Sequence, residues 1–400
     1  IIFSFIIAPP FSYLHGTLIS IVSHNKYFCQ IWSYVIIKKR QSRQIFLQEI
    51  KFMASNHIES NTLQFSEDME KPHILVIATG GTIASKEGEL GLTPAMSGEE
   101  LVSDIPGIRN VCTLDVIQLM NIDSTNMRPC QWLKIRDAIM EHYNCYDGFV
   151  ILHGTDTMAY TAAALSYLIQ NSKKPIILTG SQKPMGNPYT DAKINLYQSI
   201  LYAADAKSCN VCIVFNGKVV SGTRGRKQRT RSFDAFESMN FPELAIIRDN
   251  RIIRYYTEAL PAPEDLITYD RLNDRVFVLK LTPEVKSEIF SLLFDHYDAI
   301  ILETFGIGGI PAYDDSFEQA IFHWVDSGKT IAVTTQVPEE GCDLGVYQVG
   351  KKYSDHPGIL QSDDMTTESI VAKLMWILGQ SSEQAKISQL YYKEINHDRV

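Results

Sequence analysis

Residues 73–85 read HILVIATGGTIAS, and the rest of the chain is organised around them. Residues 74–78 are apolar and partly β-branched, the pattern of a strand buried on both faces, and Gly80 and Gly81 then break it. Thr79 and Thr82 are thereby delivered to the C-terminal end of a strand, the edge where open α/β sheets bind ligands. Glycine's tolerance of positive φ offers a plain turn as the competing explanation.

From Lys71 onward strands and helices alternate, the pattern of a parallel sheet covered on both faces. Ser97 with Glu100 makes a capping box for a short helix. A strand over 113–118 leads into the polar segment 121–128, and Pro129 opens a helix carrying Trp132, Ile135, Ile139 and a partly exposed His142. A buried strand over 148–152 closes on HGTDT (153–157), and an alanine-rich helix over 158–169 follows. Further elements are a strand at 175–178, a helix at 191–204, a strand at 211–215 and a hairpin over 216–222. The Pro, Asp and Glu content of 257–274 marks a linker. The expected architecture is therefore α/β: a larger N-terminal parallel-sheet domain over 73–256 with helices on both faces, and a smaller C-terminal α/β domain over 275–400.

Composition narrows the function classes. The chain has 400 residues and a net charge of −9. Residues 1–52 carry six Lys/Arg and one acid, hence +5, so the remainder is −14, a poor electrostatic match for nucleic acid. No stretch approaches the roughly 18 uninterrupted apolar residues of a membrane span. Seven scattered cysteines fit a reduced compartment, and the Cys209/Cys212 pair lacks the further ligands of a metal site. Residues 1–52 lack a clean period and precede Met53, the first methionine, so they read as an upstream extension absent from the natural protein, and 53–72 as a flexible leader.

Hydroxyls cluster at three strand ends: Thr79 and Thr82, Ser124 and Thr125, and Thr155 with the adjacent Asp156. Such groups suit nucleophilic attack on a carbonyl and recognition of a charged amino acid. A threonine hydroxyl needs a base. Lys227, in the basic run GTRGRKQRTRS (222–232), is a candidate if burial or the neighbouring Arg224, Arg226 and Arg229 lower its proton affinity. Clustered Lys and Arg also describe an ordinary solvated loop.

ATGGTIAS (78–85), NIDSTNM (121–127), DGFVILHGTDTMAYTAAALS (147–166), LTGSQKP (178–184) and GTRGRKQRTRSFDAFES (222–238) together resemble the bacterial-type L-asparaginases, in particular the cytoplasmic type I branch. The resemblance implies hydrolysis of L-asparagine to aspartate and ammonia without cofactor or metal, with some glutaminase activity. It makes Thr82 the nucleophile that forms an acyl-enzyme, with Thr155, Asp156 and Lys227 as the second catalytic group and Thr79 left to a structural role. Ser124 and Thr125 would hold the substrate's α-carboxylate, Asp156 its α-ammonium, and Gly81 and Gly154 would complete the substrate pocket. It further implies a cytoplasmic homodimer or homotetramer whose active site a neighbouring subunit completes through residues 336–343, with Glu339 or Glu340 on the substrate's ammonium.

The chain also departs from the pattern. Relatives that carry a tyrosine after the first threonine motif are matched here by KEGELGLTP (86–94), with Leu92 nearest, so no tyrosine is assigned. Gly306-Ile307-Gly308-Gly309 stands where some relatives supply an asparagine, and Val337 where effector-binding relatives can have cysteine. Two alternatives remain open: the ammonia-generating subunit of a tRNA-dependent amidotransferase, for which 54–72 is short as an added domain, and a catalytically silent amino-acid-binding module.

Overall fold

Two sheets, joined by one long helix-to-helix contact, set the architecture of the computed structural model, which describes residues 71–88, 91–94, 97–103, 105, 107–257, 259–312, 315–346 and 348–400. The expectations for 1–52 and for 53–70 lie outside the described residues, as do the side chains of 84–96.

The large sheet comprises β1 (His73–Gly80), β2 (Thr113–Ile122), β3 (Gly148–Leu152), β4 (Ile176–Thr179), β5 (Val211–Phe215), β6 (Lys218–Ser221), β7 (Ala245–Arg248) and β8 (Arg251–Arg254). Their order is β8-β7-β6-β5-β4-β3-β1-β2. The pairs among β1 to β5 are parallel, and β6, β7 and β8 extend that edge antiparallel. The small sheet, wholly parallel, runs β9 (Val276–Lys280), β10 (Ala299–Thr304), β11 (Thr330–Thr335) and β12 (Ile359–Gln361) in that order.

The period-2 alternation of β1, the second strand from one edge, fills a core on each face of the sheet. Ile74, Val76 and Ala78 enter the core on one face, where Leu101 of α1 (Gly98–Ser103) also packs. Leu75 and Ile77 face the opposite core, beside Ile135 and Ile139 of α2 (Pro129–His142) and Met158, Ala162 and Leu165 of α3 (Met158–Leu168). The helix α4 (Ala192–Ala203) covers the first face through Leu196 and Ile200. Helices thus cover both faces, as the alternating pattern requires. The alanines of α3 divide the same way: Ala159 and Ala162 face the sheet, whereas Ala163 and Ala164 meet Ile370, Leu374 and Trp376 on a later helix, Thr367–Gln380. Small side chains on two faces let α3 sit between the large sheet and the helix Thr367–Gln380.

Along the order β2-β1-β3-β4-β5 the winding reverses between β1 and β3, so a crevice opens there beyond the strands' carboxyl ends. The turn after β1 and the turn after β3 are its two lips.

Most expected elements are present, with ends shifted by a few residues. The Ser97/Glu100 capping box forms reciprocally, at 2.9 and 3.2 Å. Asn216 and Gly217 both take positive φ and turn the β5–β6 hairpin. The β7–β8 hairpin, which also turns on two positive-φ residues, Asp249 and Asn250, and the short β12 are not anticipated by the sequence reading. Within 257–274, Ile267–Thr268 pairs with Ile169–Gln170, so part of the expected linker is ordered against α3. Among the described residues no helix is long and apolar enough to cross a membrane.

Candidate active site

Two glycine–threonine turns meet at the crevice. After β1, Gly80 and Gly81 take φ of 107° and 83°, and Gly81 N donates to Ile122 O at the end of β2. A Cβ on Gly81 would fall 2.4 Å from Gly154 N and 2.5 Å from Gly154 Cα. Both the backbone twist and the contact therefore require glycine. In turn, a Cβ on Gly154 would lie 2.5 Å from Ser124 Oγ. Gly81, Gly154 and Ser124, residues of three separate segments, are thus closely packed together. Thr82 and Thr155 follow the first two directly, so the close approach sets both hydroxyl-bearing residues at the same crevice.

Their surroundings differ. Thr155 is 5% exposed, and its Oγ1 accepts a hydrogen bond of 2.7 Å from Lys227 Nζ. The same ammonium donates to Asp156 Oδ1 at 2.6 Å. Asp156 is 57% exposed, so its remaining acceptor capacity faces the crevice. Thr82 opens a single 3-10 turn (Thr82–Ala84) and is half-buried; among the described residues it has no side-chain bond to Thr155, Asp156 or Lys227. Thr79, by contrast, is buried and donates to Leu152 O at 2.8 Å, bridging β1 to β3.

Lys227 does not sit in a solvated loop. Gly225–Lys227 pairs antiparallel with Phe236–Ser238, with Lys227 opposite Phe236, whose ring packs against Phe215 of β5 in the large core. Arg224 is fully buried and pairs with Asp364 at 2.9 Å, and Arg229 pairs with Glu237 and Asp234. Carboxylates elsewhere thus claim two of the three guanidiniums expected to act on Lys227.

Asp123 caps the 3-10 turn Ser124–Asn126, accepting from both the amide and the hydroxyl of Thr125 at 2.8 Å. Thr125 is exposed with its proton already committed, whereas Ser124 is buried against Gly154. Thr157 Oγ1 donates to Ser124 O at 2.8 Å and ties this turn to the start of α3.

Two supporting residues escape the sequence reading. Gln182 accepts from Thr155 Oγ1 at 3.4 Å and donates to Ser232 O at 3.0 Å, joining the loop after β4 to the Lys227 ribbon. Its place in LTGSQKP, after a buried strand, is the available signal. His153 is completely buried; its Nδ1 lies 2.7 Å from Gly154 O and its Nε2 2.9 Å from Thr161 Oγ1. A carbonyl only accepts, so Nδ1 carries the proton and Nε2 accepts from the Thr161 hydroxyl. Burial pushes this imidazole down to about 4, keeping it neutral as a prop beneath Gly154.

Within the chain, the segment 336–343 lies apart from this group. Gln336 donates to Leu281 O and Glu303 O, and Glu340 N donates to Asn240 Oδ1. Glu339 and Glu340 are exposed and border a cleft of ≈ 500 Å³ with Glu237, Asn240 and Asp364. Among the described residues no group of three or more His, Cys, Asp or Glu is arranged to hold a metal ion.

Comparison with known proteins sets this geometry in context. A family model described as Asparaginase, N-terminal matches residues 73–260, and one described as Glutaminase/Asparaginase C-terminal domain matches 275–391. An L-asparaginase of Thermococcus kodakarensis is 33% identical over 324 residues, covering 80% of this chain and 97% of that one. The solved structure of the thermostable L-asparaginase from that organism superposes with a TM-score of 0.77 at 31% identity, over 82% of this chain and 99% of that one. L-asparaginase 1 of Escherichia coli K12 is 34% identical over 80% of this chain and 95% of its own length. A glutamyl-tRNA(Gln) amidotransferase component of Pyrococcus abyssi is 33% identical over 80% of this chain and 75% of its own length.

Proposed function

The chain belongs to the asparaginase family, and from that membership we propose that it hydrolyses the side-chain amide of L-asparagine to L-aspartate and ammonia. The observation that carries this reading is the Lys227–Thr155–Asp156 group, with bonds of 2.7 and 2.6 Å, set against the Thr82 turn through the Gly81–Gly154 contact.

In this reading Thr82 Oγ1 attacks the amide carbon. The O–C bond forms, the C–N bond breaks, and the proton lost by Thr82 is carried to the departing nitrogen. Water then attacks the resulting ester, releasing the carboxylate and restoring the Thr82 hydroxyl. Lys227 stabilises negative charge on Thr155 Oγ1 and so lowers the cost of deprotonating it, while Asp156 holds the ammonium in place. Backbone amides at the two turns stabilise the oxyanion, a contribution of roughly 3 kcal/mol per donor in well-studied hydrolases. Ser124 takes the α-carboxylate, joined by Thr125 once its hydroxyl turns from Asp123 to the substrate, and the open side of Asp156 takes the α-ammonium. Glutamine is one methylene longer, which rarely gives more than about 1 to 3 kcal/mol of discrimination, so glutamine is a slower substrate rather than a rejected one.

The chain works in this reading as a cytoplasmic homodimer or homotetramer, with Glu339 or Glu340 of a neighbouring copy reaching the substrate's ammonium. Light scattering alongside activity tests it: a fully active monomer would sink the shared site. The similarity to the amidotransferase component supports a second reading, in which the same chemistry supplies ammonia to a tRNA-linked partner. Ammonia release from asparagine by the isolated protein separates the two; dependence on a tRNA-bearing partner would favour the second.

A further inference from the structure

The position of Lys227 is set from a region that the catalytic motifs do not include. Arg224 is three residues upstream, at the foot of the strand Gly225–Lys227, and is 0% exposed. Its Nη1 donates to Asp364 Oδ2 at 2.9 Å and to Asp364 O at 3.0 Å, and its Nε donates to His397 O. Its guanidinium also lies over the Phe241 ring, 5.5 Å from the centroid. The adjoining residues are tied to the same two segments. Thr223 Oγ1 and Ser221 Oγ donate to Asn396 O at 2.5 and 2.7 Å, and Thr366 Oγ1 donates to Thr223 O at 3.2 Å.

Those segments are themselves anchored in the core. Asp398 accepts from Lys373 Nζ at 2.5 Å and from Tyr167 OH at 2.9 Å, all three side chains being fully buried between α3 and the helix Thr367–Gln380. The foot of the Lys227 strand therefore rests on an internal ion pair and a buried guanidinium, both of which are strongly directional. From the foot to Lys227 the strand spans roughly 10 Å at about 3.3 Å per residue, so a slip at Arg224 is passed on to Nζ. Bonds of 2.6 and 2.7 Å to Asp156 and Thr155 do not survive a slip of an ångström.

We propose that Arg224 is a positioning residue: held by Asp364 and the His397 carbonyl, it fixes the strand that delivers Lys227 to Thr155 and Asp156. The inference rests on the catalytic reading of Lys227 given above.

The test measures steady-state kcat and KM on L-asparagine for Asp364→Asn, Arg224→Lys and Arg224→Ala, with Lys227→Met as control and the folded fraction taken from thermal melts. Misplacement of about 1 Å costs on the order of 10²-fold, so kcat falls by roughly 10- to 100-fold in Asp364→Asn and Arg224→Lys while KM and folded fraction hold, and added guanidinium restores part of the Arg224→Ala rate. Unchanged kcat in both Asp364→Asn and Arg224→Lys overturns the proposal. So does a kcat that falls only in proportion to the folded fraction. If Arg224→Ala does not fold, Asp364→Asn, which keeps the buried guanidinium and its carbonyl bonds, decides. Near-normal turnover in Lys227→Met would instead remove the catalytic reading on which the inference stands.

Discussion

The turns after β1 and β3 are built from the same two residue types, yet their surroundings differ sharply. Gly154-Thr155 is buried, propped by neutral His153, and bound on its hydroxyl by Lys227 and Gln182. Gly81-Thr82 is less enclosed at its threonine, which is half-buried and leaves its hydroxyl outside that network. A group that must form and break a bond to substrate needs room, whereas a group that passes or stabilises charge needs fixed partners. In the proposed mechanism that difference in partners, more than either motif alone, divides the roles of nucleophile and relay.

Substitution at Thr82 should disturb this division most. Thr82→Ala removes the bond-forming atom and is expected to lower kcat by about 10⁴-fold or more, measured as ammonia release under saturating asparagine. Lys227→Met leaves Thr155 without its cation; loss of a proton-handling partner typically costs 10²- to 10⁴-fold, so about 10³-fold is expected, with the melting temperature checked in parallel. Gly154→Ala would drive a methyl to 2.5 Å from Ser124 Oγ and prise the turns apart. The expected cost is on the order of 10² in kcat/KM. The smallest effect separates the two turns through pH. His153 stays neutral in the fold down to about 4 against an unfolded value near 6.5, so the unfolded chain binds more protons in that window. Stability is therefore full above about pH 6.5 and lost as pH falls, by roughly 2 kcal/mol between pH 6.5 and pH 5. His153→Asn should flatten that part of a denaturation-versus-pH curve; an unchanged slope would show that the imidazole is no prop.

How much of this is legible in the sequence depends on whether the signal is local. β1 declares itself because its alternating residues fill two cores, and the capping box and the Asn216-Gly217 hairpin follow from short-range chemistry. Thr155, Asp156 and Lys227 are named together by resemblance, and the structure brings those three into one hydrogen-bonded group. A solvated loop stays open as an explanation of the run around Lys227 because charge density is a local property, while the burial of Arg224 depends on Asp364 and His397, far away in sequence. Likewise His153 becomes a prop only through Thr161 and the Gly154 carbonyl. The antiparallel extension β7–β8 is missed for another reason: a four-residue edge strand with an arginine at each end leaves little period to detect.

Thr82 as the nucleophile of a self-sufficient amidohydrolase is tested by ammonia release from L-asparagine, comparing the purified chain with Thr82→Ala, side by side and without any partner macromolecule. Saturable turnover is expected from the native chain, with a loss of about 10⁴-fold in the variant and the fold retained. Comparable rates in the two proteins, or turnover by the native chain only when a tRNA-linked partner is added, would contradict that assignment.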